Sequence, residues 1–239
     1  MLFLRSASYQ IAFLVWTVLL GVAGLPLLLG SRHTVMRFGT FWARGVLVLL
    51  RIVCGLDYEL RGRERLPEGP AIVAMKHQSA WDAIAMTVLF GDVASIVKRE
   101  LAWIPFYGWY TMKAGSIAID RGAGARALKR MVADAARVKA QGRKITIFPE
   151  GTRTSVDATR NYLPGVAALY QYLDLPLVPV AVNSGLFWKR RGFLRRPGTV
   201  LVEILPAISP GMDRHAMMER LRAEIESATA RLVAEARAS

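Results

Sequence analysis

Residues 71–90 read AIVAMKHQSAWDAIAMTVLF, and the fold class is decided on this stretch. Residues 71–75 are an uncharged apolar run of strand length, and residues 80–90 form a mostly apolar run of helix length. Between them lie Lys76, His77, Gln78 and Ser79, a polar loop. A buried strand, a polar loop and a helix in sequence are the repeating unit of an α/β sheet. The alternation continues outward. Residues 58–60, 94–97, 116–119, 144–148, 177–182 and 199–205 have strand character, and residues 123–140, 165–173 and 212–236 have helical character. The last segment spaces Met217, Leu221, Ile225, Ala228 and Leu232 at steps of three and four, one face of a helix. The expected class is therefore α/β, a mainly parallel sheet flanked by helices, with Pro67-Glu68-Gly69-Pro70 as a turn between the first two strands.

The N-terminus has a different character. Hydrophobic residues make up 53% of the 239-residue chain, and the excess is concentrated early. Residues 11–30 carry no charge, and the first acidic residue is Asp57. About 20 apolar residues match the hydrocarbon thickness of a bilayer. Leu27, Leu28 and Leu29 stand where a cleaved signal peptide would need small residues. A second apolar stretch, 38–56, carries Arg44 and Arg51 close to one helical face, as a helix beside lipid phosphates would. Pro26 interrupts the first stretch, so both a spanning helix and a re-entrant hairpin are open, against the plainer alternative of two buried helices of a soluble protein. The expected partition is 1–56, an N-terminal two-helix membrane motif, and 57–239, an α/β domain.

A net charge of +14 calls for an acidic partner. The densest basic cluster, residues 189–196 (KRRGFLRR), is interleaved with apolar residues and lies in a chain with an apolar N-terminus. That combination favours an anionic membrane surface over nucleic acid. The single cysteine, Cys54, excludes an internal disulfide and reads as a small buried hydrophobe.

The candidate chemistry lies at strand ends. His77 follows strand 71–75, where the carboxyl end of a strand opens into a loop and open α/β sheets bind ligands. Asp82 is five residues on, too far round one regular helix to share a face with His77. With His77 in the turn and Asp82 in the first turn of the next helix, capped by Ser79, the two side chains can converge as a general base and its orienting carboxylate. Phe148-Pro149-Glu150-Gly151-Thr152-Arg153 follows strand 144–148 at the same expected edge. Gly151 permits close backbone approach, Thr152 offers a hydroxyl, and Arg153 offers a fork suited to phosphate. Arg121 and Lys98 end two further strands. Together these residues outline an anion-binding pocket that holds a general base. Gly122-Ala123-Gly124-Ala125-Arg126-Ala127 fits a loose dinucleotide pattern, but no acidic residue follows at the expected distance, so these glycines are read as a turn before a helix. The sequence contains no metal-ligand spacing.

These blocks resemble the glycerolipid acyltransferases, and within them the bacterial 1-acyl-sn-glycerol-3-phosphate (lysophosphatidic acid) acyltransferases. H-x-x-x-x-D is His77 to Asp82, and the K-x-E-L-x-x-I-P-x-x-G stretch is Lys98 to Gly108. G-x-I-x-I-D-R is Gly115 to Arg121, F-P-E-G-T-R is Phe148 to Arg153, and V-P-V-A-V is Val178 to Val182. The resemblance implies transfer of a fatty acyl group from acyl-CoA or acyl-carrier protein to the free hydroxyl of 1-acyl-glycerol-3-phosphate. The product is phosphatidate, and neither an acyl-enzyme nor a bound cofactor is involved. It implies His77 as base, Asp82 as its orienting partner, and Glu150, Gly151, Thr152 and Arg153 on the acceptor's headgroup, with Arg121 and Lys98 assisting. Backbone amides at the start of the helix after His77 are the expected oxyanion donors. It further implies a lysophospholipid acceptor and a bacterial inner membrane, with the site facing the cytoplasm. Two departures, Lys76 where the family often has asparagine and the missing lysine before Gly165, are expected on the acceptor side. They leave room for another acceptor, such as lyso-ornithine lipid. A reading of another class is a non-catalytic membrane lipid-binding protein on the same fold.

Overall fold

The structure, a computed structural model, describes residues 1–238 without the side chain of Arg121. Its centre is a seven-stranded sheet: β1 (Leu56–Arg61), β2 (Ile72–Met75), β3 (Val93–Lys98), β4 (Ile117–Ile119), β5 (Lys144–Ile147), β6 (Leu177–Val182) and β7 (Gly198–Ile204). The spatial order is β1-β7-β6-β2-β5-β3-β4. Every ladder is parallel except β6–β7, so β1 and β7 run against the five strands that carry the motifs. The mainly parallel α/β expectation holds, as do all seven strands. What the sequence pattern did not supply is their order: β1 pairs at the far edge with β7, not with β2.

Both faces of the sheet are covered, which is why its central strands are continuous apolar runs. β2 is buried at every position, and its side chains alternate between two cores. Val73 and Met75 face α3 (Ala80–Phe90) and the N-terminal helices, in one cluster with Trp81 and Leu89. Ile72 and Ala74 face α5 (Gly124–Ala140), α6 (Pro164–Leu173) and α7 (Arg214–Ala238). The helical spacing read in the last segment is the packed face of α7: Met217, Leu221, Ile225, Ala228 and Leu232 are all buried. One short helix, α4 (Tyr107–Lys113), had no periodicity to announce it.

At the N-terminus, α1 (Leu2–Ala23) ends in a tight turn, Leu25–Leu29, that contains Pro26. α2 (Arg32–Leu49) then returns, starts at a Ser31 cap and continues as one wide turn, Leu50–Cys54. The helices pack antiparallel, with Trp16 Nε1 donating to the Trp42 carbonyl (3.1 Å) and Trp42 Nε1 donating to the Thr17 hydroxyl (3.1 Å). α1 has the length and hydropathy of a membrane-crossing helix, yet only 17% of its most apolar stretch is buried. α1 is therefore not a core helix of this chain, whereas α2 buries Val35, Met36, Ala43, Val46 and Leu47. Leu4, Ile11, Leu14, Val15, Val18 and Val22 are exposed on one side, while Tyr9 on the other is buried. Tyr9, Val46, Leu50 and Cys54 share one core with α3 and the sheet, so the N-terminal helices are built onto the sheet and do not hang from a linker.

The basic cluster lies beside the start of α1. Lys189, Arg190, Arg191 and Arg196 are exposed, and the Phe193 ring sits 5.2 Å from Phe3. Arg195 departs from the expected lipid-facing set. It is 6% exposed, its guanidinium lies 4.2 Å from the Trp188 ring, and it reaches Gln10 Oε1 (3.1 Å). This one cation of the cluster therefore fastens the loop to α1.

Candidate active site

The chain leaves β2 and β5 in opposite directions, since β2 leads over β5 to β3 and β5 leads over β2 to β6. Neighbouring strands whose connections diverge leave a crevice at their carboxyl ends, where open α/β sheets bind ligands. His77 follows β2 and Phe148–Arg153 follows β5, so the two blocks meet in that crevice.

His77 Nδ1 lies 3.0 Å from Asp82 Oδ2. Asp82 is the third residue of α3 and completes a capping box with Ser79, as the spacing required. Its buried carboxylate collects four donors. Oδ2 accepts from the Gln78 and Ser79 amides (2.7 and 2.8 Å) and from His77, while Oδ1 accepts from the Ser184 hydroxyl. A carboxylate only accepts, so Nδ1 carries the hydrogen and Nε2 keeps its lone pair. The imidazole is stacked on Phe148 (3.7 Å, 11°), and the backbone of His77 is held on both sides of its Cα. His77 N–H donates to Glu150 Oε2 (2.8 Å), and the His77 carbonyl accepts from the Thr154 amide (2.7 Å). The Gln78 and Ser79 amides serve Asp82 and the Trp81 amide serves Ser79 Oγ, so these three amides are already engaged.

A cleft of about 610 Å³ opens beside His77, lined also by Lys98, Gly151, Thr152, Arg153 and the first turn of α5. Gly151 adopts a φ of +66°, a left-handed turn that brings its amide back to the Phe148 carbonyl at 2.9 Å. Arg153 and Lys98 line the cleft, and neither has a carboxylate partner among the described residues. Arg121 begins the turn into α5, and its side chain lies outside the described residues.

Glu150 stands apart from the rest of its block. It is 2% exposed and turned away from the cleft. Its Oε1 lies 2.8 Å from the ammonium of Lys76. Burial pushes its carboxyl above the usual range, with Lys76 and the His77 amide pulling the other way. Lys76 is likewise not on the acceptor side, as its departure from the family pattern had led us to expect. It is 1% exposed and points to α7. The pleat accounts for this, because continuing the alternation of β2 sends Lys76 to the α7 face and His77 to the α3 face.

Ser184 and Gln78 belong to the site and were not anticipated. Ser184 follows β6 at the same carboxyl edge and supports Asp82, while buried Gln78 Oε1 accepts from the Gly185 amide (3.0 Å). A polar Asn-Ser-Gly after a wholly apolar strand was the available signal.

A second, apolar cavity of about 170 Å³ lies between α1, α2, α3, β3 and α4. Ala83, Ile96, Val97, Tyr107 and Phe148 line both spaces, so the cleft and the cavity share a wall that includes His77's stacking partner.

Residues 57–183 match the family profile described as Acyltransferase. The chain is 38% identical to a 1-acyl-sn-glycerol-3-phosphate acyltransferase of Pseudomonas aeruginosa over 167 residues, which is 70% of this chain and 65% of that protein. It is 31% identical to the Saccharomyces cerevisiae protein of the same description over 189 residues, 76% of this chain and 60% of that one. The matched regions thus span less than two thirds of those relatives. The crystal structure of a 1-acyl-sn-glycerophosphate (LPA) acyltransferase from Thermotoga maritima superimposes with a TM-score of 0.79 at 19% identity, covering 96% of this chain and 95% of that one.

Proposed function

This chain belongs to the acyltransferase family, and we propose that it transfers a fatty acyl group from an acyl thioester to the free hydroxyl of 1-acyl-glycerol-3-phosphate, giving phosphatidate for phospholipid synthesis. The observation that carries this reading is the His77–Asp82 pair, 3.0 Å apart, in a cleft that also presents Lys98 and Arg153. His77 Nε2 takes the proton of the acceptor hydroxyl as its oxygen attacks the thioester carbonyl carbon. Asp82 keeps the tautomer and offsets the charge that forms on the imidazolium. When the tetrahedral intermediate collapses, the C–S bond breaks and the imidazolium returns its proton to the departing thiolate. Arg153 and Lys98, with Thr152, Gly151 and Arg121, take the acceptor's phosphate. Glu150 acts from behind, through the His77 peptide.

The donor is acyl-CoA or acyl-carrier protein, and its acyl chain enters the apolar cavity. We assign residues 1–56 to the membrane and residues 57–239 to catalysis, over the core the two share. The exposed face of α1 and the basic residues beside it fit an anionic leaflet, as on the cytoplasmic side of a bacterial inner membrane.

The test is acyl transfer by the purified protein in detergent, with both donor types and a panel of lysolipids. Lysophosphatidate is expected to turn over fastest. Preference for lyso-ornithine lipid would move the assignment to that acceptor, and lipid retention without turnover would replace the enzyme with a lipid-binding protein. The cavity makes its own prediction. Gly39 of α2 lines it, and a Cβ there meets nothing within 4 Å. Gly39→Phe is expected to lower kcat/KM for long-chain donors about tenfold against short ones, and an unchanged chain-length profile would remove the acyl chain from this cavity.

A further inference from the structure

Beneath the His77 peptide lies a buried ionic cluster that the proposed chemistry does not use. Lys76 is among the largest fully buried side chains in the protein. Its Nζ lies 2.8 Å from Glu150 Oε1, and 2.7 and 2.8 Å from the two carboxylate oxygens of Glu226 on α7. The Tyr162 hydroxyl, from the loop before α6, donates to Glu226 Oε1 at 3.0 Å. One cation thus answers two carboxylates drawn from parts of the chain 76 residues apart. A buried ion pair is costly unless geometry and hydrogen bonds complete it, and removing one partner strands the other.

We propose that Lys76 is a positioning residue for the transfer reaction: it holds Glu150 as a carboxylate against the His77 peptide, and Glu226 anchors Lys76 to α7. The proposal rests on the acyltransferase reading and names a further residue of that site. The chain of contacts is short. The ammonium holds Glu150 Oε1, and Glu150 Oε2 accepts the His77 N–H at 2.8 Å. The next peptide, on the carboxyl side of His77, is held by the Thr154 amide, which donates to the His77 carbonyl. His77's ring is fixed by Asp82 and Phe148, but its backbone is set by this cluster. A fraction of an ångström at the peptide is magnified at Nε2, where reacting atoms must meet at about 3 Å.

Burial already pushes the Glu150 carboxyl up, and Lys76 restrains it. The charged or titratable groups around Glu150 are Lys76 and His77 after β2, Glu226 and Arg222 on α7, and Tyr162. Without the ammonium, Glu150 takes up a proton at higher pH, and a carboxylic acid accepts the His77 N–H more weakly than a carboxylate does. The functional form is the carboxylate, so activity is then lost earlier as pH falls.

The experiment compares full-length wild type, Lys76→Met, Lys76→Arg and the double variant Lys76→Met with Glu226→Gln. It measures kcat and KM from pH 5 to 9, thermal unfolding, and hydrogen exchange of the peptide spanning residues 76–80. Lys76→Met is expected to lower kcat about tenfold with KM for both substrates within twofold, to move the acid limb to higher pH, and to speed exchange of the His77 amide. Lys76→Arg, which keeps the cation, should hold kcat within about fivefold. The double variant removes one of the two stranded carboxylates, Glu226, and should regain part of the thermal stability without regaining kcat, because Glu150 still lacks its cation. Wild-type kcat in the double variant would reduce Lys76 to a counter-ion for Glu226 and overturn the proposal. So would unchanged kcat and exchange in Lys76→Met. If Lys76→Met does not fold, the double variant decides alone. If wild type acylates no lysolipid, the functional reading fails by itself, and the exchange of the His77 amide still decides the role of Lys76.

Discussion

His77→Ala is expected to lower acyl transfer by about a thousandfold, the scale of losing a positioned general base, with the fold retained. Nε2 is the ring nitrogen left for substrate, since Nδ1 is committed to Asp82 at 3.0 Å. No other histidine can replace it, because His33 and His215 lie on other elements, α2 and α7. The ring contributes little to the core. Removing it takes one of four donors from Asp82 and leaves the Gln78 amide, the Ser79 amide and the Ser184 hydroxyl in place. The rate should therefore fall in kcat, with KM for the lysolipid nearly unchanged and the thermal midpoint within a few degrees. Steady-state kinetics with both donor types, read beside a melting curve, check this. A variant within tenfold of wild type would take the base role from His77.

Asp82→Asn is expected to be as damaging to the rate and, unlike His77→Ala, to cost stability. An amide has one acceptor oxygen in place of two and brings its own N–H₂ group. If that group faces His77, it demands an acceptor at Nδ1 and moves the ring hydrogen to Nε2, the wrong tautomer for a base. A loss of about a thousandfold in kcat follows. The same placement confronts the Gln78 and Ser79 amides, which share that oxygen with His77, so the capping box fails as well. If the amide turns the other way, its N–H₂ group meets the Ser184 hydroxyl, which loses its acceptor. Either arrangement strands a buried donor, at a cost of about 1–3 kcal/mol. For a chain of this size that lowers the melting midpoint by roughly 2–4 °C per kcal/mol. Combining the two substitutions should cost scarcely more activity than either alone, because the residues act as one unit. A full additional thousandfold in the double variant would show them acting independently.

Much of this site was legible from short-range pattern. The loop at 76–79, the cap at Ser79 and the return of Asp82 to His77 are all contained within seven residues, where strand, turn and first helical turn leave few geometries. The α7 spacing was equally legible, because a helix face repeats at a fixed step. Elsewhere short-range pattern was not enough. Glu150, placed by its block with the headgroup-binding residues, is turned inward beside Lys76. Arg195, inside a run of basic residues, is a packed side chain against Trp188. In both cases charge marked the residue, but burial and partners decided its role.

The sequence by itself determined the α/β class, the strand-end location of His77 and the convergence of His77 with Asp82, since each follows from residues a few positions apart. Tertiary structure alone decided the strand order that opens a crevice between β2 and β5, the support of Asp82 by Ser184, and the cluster joining Lys76, Glu150 and Glu226. Lys76 and Glu226 are 150 residues apart, and Asp82 and Ser184 are 102 apart. Periodicity and capping act over one or two turns of chain, whereas such pairs meet only after strands have chosen neighbours and helices have chosen faces.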